Sequence, residues 1–169
     1  MSSSGSSETA QRASHGDPGV QLQVREAQKA ASALGLELVV VNVVGGDYLS
    51  AFAAIAALKP DALFVEANTF FVRDGKRIID LAAKHRLPAI YEWSSQVVAG
   101  GLMAYGGSQS ETYHRVADYV DRIFKGARPG DLPIVQPTRL YLTLNLKTAK
   151  ALGLTIPQSL LLRADEVIQ

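Results

Sequence analysis

The chain has 169 residues, a net charge of +1 from 17 basic and 16 acidic side chains, and no cysteine. That length suits one domain of the usual ~100–200 residues. An apolar fraction of 47% is too high for a disordered chain. The near-balanced charge argues against an electrostatic nucleic-acid or membrane-surface binder. The missing cysteines exclude disulfides, thiolate metal sites and a cysteine nucleophile. No apolar run reaches the ~18 residues of a membrane span, and the N-terminus shows no apolar core of a signal peptide.

The opening MSSSGSSETAQRASHGDPG is rich in serine and glycine and offers almost nothing to bury. It reads as a disordered tail or an expression remnant over residues 1–17, with order expected from Pro18. Val20, Val24, Ala27, Ala31 and Leu34 then share one helical face, and Gly35 is a stop. Leu36 to Val44 (LELVVVNVV) is β-branched and nearly continuous, the pattern of a strand covered on both sides. Gly45-Gly46 turns the chain and Asp47 can cap a helix that buries Tyr48, Phe52, Ile55 and Ala56 and ends at Lys59-Pro60. Ala62 to Glu66 is the next strand. Thr69 to Arg86 is a helix with Phe71, Ile78, Ile79 and Ala82 inward.

Pro88 to Tyr91 is a short strand, Ser94 to Ala99 a helical turn or two, and Leu102 to Tyr105 a strand after Gly100-Gly101. Glu111 to Lys125 is the clearest helix, with Tyr113, Val116, Val120, Ile123 and Phe124 on one stripe and Gly126 as its stop. Arg139 to Leu146 (RLYLTLNL) alternates as a strand does, and two short helical pieces, Lys147 to Leu152 and Pro157 to Ile168, follow. Strands separated by helices imply βαβ units, an α/β fold and a parallel sheet. Ligands bind beyond the carboxyl ends of such strands. Here those ends are Asn42 to Gly46, Glu66 to Thr69, Glu92 to Ser95 and Tyr105 to Ser108.

No GxGxxG follows a strand and no phosphate-binding GxxxxGK[ST] occurs. Gly45-Gly46-Asp47 could hold an anion on backbone N–H groups, but a tight turn with a helix cap explains it equally simply. His15 is in the tail, His85 is in the last turn of a helix, and His114 stands beside the apolar stripe of the long helix. No two have metal-ligand spacing. Ser94, Ser95 and Ser108 lie at strand ends without a GxSxG elbow. Asp74, Asp80 and Glu92 are too scattered to form a dyad, and a receiver-type acidic cluster is not visible. Asn68, Glu92, Trp93 and Tyr105 remain: polar and aromatic groups at strand ends, as a pocket for a small polar molecule needs. Trp93 and Tyr105 could equally be core or interface aromatics.

The pieces GGLMAYG, YVDRIFKGARPGDLPIVQPT, LNLKTAKALGLTIP and LLLRADEVI, with LQVREAQKAASALGLEL and LAAKHRLPAIYEW upstream, resemble ABC-transporter substrate-binding proteins of the tryptophan-binding-like family, over about Pro18 to Gln169. The resemblance implies one lobe of a type I periplasmic-binding-protein fold over residues 18–107, then a returning segment over 108–169, the whole being a single α/β domain. It implies a noncatalytic component that binds a small organic solute, such as an amino acid or aromatic compound, and serves an ABC permease. It implies no cofactor and a periplasmic location, although this chain shows no signal peptide. By analogy with the family's cleft, Asn68, Glu92, Trp93 and Tyr105 are the expected ligand-binding residues.

Family members are about twice as long, so the first lobe and the strand opening the second are expected to be missing, leaving one cleft wall. An unpaired apolar edge at Leu36 to Val44 and the uncovered stripe of the long helix would then favour a homo-oligomer. Two further readings are an oligomeric interaction domain without a ligand-transport role and an enzyme of flavodoxin-like architecture, the latter without a supporting motif.

Overall fold

The computed structural model describes residues 18–137 and 139–169. The expected tail and His15 lie outside the described residues. The chain forms two compact units, Met1–Lys59 and Pro60–Gln169.

In the first unit, helix α1 spans Pro18–Ala33. Ala31 is buried and Val20, Val24 and Ala27 are half-buried, as the helical spacing predicts. Leu34, expected on the same face, is 74% exposed. It follows the last helical residue, where the backbone turns away from that face. Gly35, at φ +68°, allows a Schellman closure: its N–H donates to the Ser32 carbonyl, and the Leu36 N–H reaches the Ala31 carbonyl at 2.9 Å.

The expected strand Leu36 to Val44 is not a strand among the described residues, and Leu36, Val39, Val40 and Val44 are exposed. β-branched residues favour extended backbone, but a strand needs a pairing partner as well. Gly45 and Gly46, both at positive φ, make the turn. Asp47 caps α2 (Tyr48–Leu58), its carboxylate accepting from the Ser50 N–H at 3.1 Å and the Ser50 hydroxyl at 2.6 Å. That carboxylate occupies the N–H an anion would need, so the turn-and-cap reading of Gly45-Gly46-Asp47 holds. Tyr48, Ala51, Phe52 and Ile55 form the buried face of α2.

The second unit is an α/β layer built on a five-stranded sheet in the order β1 (Leu63–Phe64), β2 (Ala89–Tyr91), β3 (Met103–Gly106), β4 (Tyr141–Asn145) and β5 (Glu166–Ile168). Strands β1, β2 and β3 are mutually parallel, β4 runs antiparallel to β3, and β5 is parallel to β4. The sheet is therefore mixed rather than wholly parallel. The long segment after Gly106 goes out through one helix and re-enters from the opposite side, which reverses β4. Strand β5 falls inside Pro157 to Ile168, expected to be helical. Only Gln158–Leu161 (α8) is helix there, and Glu166–Ile168 completes the sheet by pairing with Thr143, Leu144 and Asn145.

The helix expected over Thr69 to Arg86 is broken at Asp74 into α3 (Thr69–Arg73) and α4 (Gly75–Lys84). Asp74 there accepts two hydrogen bonds from the Arg73 guanidinium, both at 2.8 Å. Ile78, Ile79, Leu81 and Ala82 of α4 are buried, whereas Phe71 is only half-buried. His85 caps the C-terminus of α4. With Tyr91, Val97, Leu102, Ala104, Leu142 and Leu144 these residues make the core of the unit. Helix α5 (Ser94–Val98) links β2 to β3, α6 (Gln109–Phe124) leaves β3, and α7 (Leu146–Leu152) follows β4. Helix α6 has no buried residue: the whole stripe Tyr113, Val116, Val120, Ile123 and Phe124 faces outward, Phe124 at 86% exposure.

Candidate functional site

The carboxyl ends of β2 and β3 and the amino ends of β4 and β5 meet at one end of the sheet. A cleft of about 450 Å³ opens there, lined by Glu92, Ser94, Gly106, Gly107, Ser108, Arg139, Tyr141, Thr143, Asp165 and Glu166. The pleat explains which residues reach it. Gly106 pairs with Tyr141, Ala104 with Thr143, and Thr143 with Glu166, and cross-strand partners share a face.

Arg139 and Asp165 organise one side. The guanidinium donates to Asp165 Oδ1 at 2.6 Å, and Asp165 Oδ2 accepts from the Leu142 N–H at 2.8 Å. Those two bonds hold the Asp165 carboxyl below the usual carboxylate range, the backbone bond contributing most. Arg139 also lies over the Tyr141 ring, 4.7 Å from its centroid. The Tyr141 hydroxyl donates to Glu111 at the start of α6, and that bond raises the phenol above its ordinary value. Ser108 caps α6 by accepting from the Glu111 N–H at 3.2 Å.

On the other side stands Glu92. Its carboxyl is half-buried, and burial raises it above the ordinary range. No described group gives its carboxylate a hydrogen bond or ion pair. Thr143, also on the lining, is 2% exposed. The lining thus carries several hydroxyls and three carboxylates, with Arg139 as its one cation, paired to Asp165.

The sequence-predicted residues are dispersed. Glu92 lines the cleft. Trp93, half-buried, is the residue from which α5 starts, and its N–H donates to Gln96 Oε1 at 3.2 Å. Asn68 caps α3, its Oδ1 accepting from the Phe70 N–H at 2.9 Å. Tyr105 is 51% exposed and points to the opposite face of β3 from Gly106. Sequence reasoning missed Arg139, Tyr141, Thr143 and Asp165. The alternation in RLYLTLNL does put Arg139, Tyr141 and Thr143 on one face. Its pairing with β3, which brings that face to the cleft, is not written in the segment.

Among the described residues, no group of three or more His, Asp or Glu is placed to hold a metal ion, and no helix is long and apolar enough to cross a membrane.

Residues 13–168 match the ABC transporter substrate binding protein family. No curated protein matches the chain. Among solved structures, a conserved domain protein from Vibrio cholerae is 28% identical with a TM-score of 0.78, over 89% of this chain and 52% of that one. An ABC domain from Streptococcus pneumoniae, solved in complex with L-Trp, is 25% identical with a TM-score of 0.80, over 88% of this chain and 51% of that one. A ligand-free, open substrate-binding protein with adhesive properties from Clostridium difficile shares 18% identity and a TM-score of 0.59, over 90% of this chain and 51% of that one, which speaks for the fold alone. The chain spans about half the length of the structures it matches.

Proposed function

The chain belongs to the ABC transporter substrate-binding protein family, and from that premise we propose that its second unit forms one wall of a cleft for a small organic solute, held without chemical change. The observation that carries this is the cleft at the carboxyl ends of β2 and β3, where sheets of this class bind ligands. Its volume falls within the ~300–1,000 Å³ of small-molecule sites, and its polar groups converge from four strands. The L-Trp in the pneumococcal structure supports an amino acid or aromatic compound as the class of solute. Glu92 and Trp93 are the sequence-predicted residues we assign to this wall and its edge. Delivery to an ABC permease, an extracytoplasmic location and a second wall from another polypeptide segment complete the reading.

Thermal unfolding of the chain with a panel of amino acids and small aromatic solutes tests it. A specific solute raises the transition midpoint by mass action, and the emission of Trp93 shifts with it. A chain whose midpoint moves with no solute in the panel refutes the reading.

One observation favours a second use. The wholly exposed stripe of α6 is suited to a protein surface, and in an oligomeric interaction domain a second copy of the chain covers it. In a two-lobed binder the other half of the molecule covers it instead.

A further inference from the structure

We draw no further inference here: the strongest candidate, the exposed apolar stripe of Tyr113, Val116, Val120, Ile123 and Phe124 along α6, is an unpartnered face, and nothing in the structure shows what covers it.

Discussion

Gly106 passes directly against Glu92: a Cβ at Gly106 would lie 2.2 Å from the Glu92 carbonyl oxygen and 3.0 Å from its Cγ. The end of β3 and the residue after β2 are packed backbone to backbone, and only glycine leaves room. The same contact fixes where the Glu92 side chain leaves the sheet.

Gly106→Ala is therefore expected to destabilise the fold by ~1–3 kcal/mol, the range for overpacking a close contact, and to displace Glu92. A Cβ at Gly130 would meet nothing within 4 Å, so Gly130→Ala is the matched control and should be near neutral. Chemical denaturation of the two variants beside the parent chain measures both. Equal stabilities would show that the β2–β3 junction yields freely.

Asp165 holds a backbone N–H as well as Arg139. Asp165→Ala strands the Leu142 N–H at the start of the buried part of β4 and is expected to lower stability, because that donor loses its acceptor. Asp165→Asn keeps an acceptor and should cost less. The urea midpoints of the two variants should rank in that order.

The same carboxyl predicts an acid dependence. Its folded pKa lies below its unfolded value, so the unfolded state binds the proton first as pH falls. Its contribution is complete above the ordinary carboxylate pKa of ~3.9. It is lost as pH drops through that value and then through the lower folded one. Unfolding free energies measured across this window should fall less steeply in Asp165→Asn than in the parent.

Glu92 predicts the opposite sign. Its folded pKa is raised, so the fold favours the protonated form and the ionised form is a burden. Glu92→Gln is expected to unfold at a higher temperature than the parent at neutral pH, with the gap closing as the solution is acidified through the carboxylate range. A variant less stable than the parent at neutral pH would mean that Glu92 has a stabilising partner.

The α6 stripe predicts association. Burying a side chain such as Val116 or Val120 is worth ~1.5–3 kcal/mol, and all five members of the stripe are exposed. Sedimentation velocity at micromolar concentration is expected to show species heavier than the 18.1 kDa chain. Val116→Asp with Val120→Asp should return them to monomer while changing stability by less than ~0.5 kcal/mol, as for exposed sites. A parent chain that sediments as a monomer rules this association out.

The elements legible in the sequence are those whose own residues carry the signal. The 3.6-residue spacing of Ile78, Ile79 and Ala82 gives the buried face of α4, and Gly35, Asp47 and Gly126 mark where helices stop and start. What failed needed information from elsewhere in the chain. Leu36 to Val44 has the composition of a covered strand, but composition supplies no partner. Glu166 to Ile168 is too short to show a period and becomes a strand by lying along β4. The site divides the same way. Glu92 was legible because it follows a strand. Arg139 and Asp165, 26 residues apart in sequence, meet only because β4 reverses and β5 returns beside it.

The strand order of the sheet is also the order of the strands along the chain, β1 to β5. Each strand is added beside the one just before it, and the connection from β2 to β3, residues 92–102, is the shortest in the sheet, whereas residues 107–140 separate β3 from β4. Loop-closure cost grows with length, so the β2–β3 pairing is the cheapest in the sheet to close. Glu92 and Gly106 are in place once β3 has joined β2, but the Arg139–Asp165 clasp cannot close until β4 has reversed and β5 has docked. The scaffold therefore precedes the binding surface in time, and a folding probe on Trp93 should report an earlier event than one placed beside Asp165.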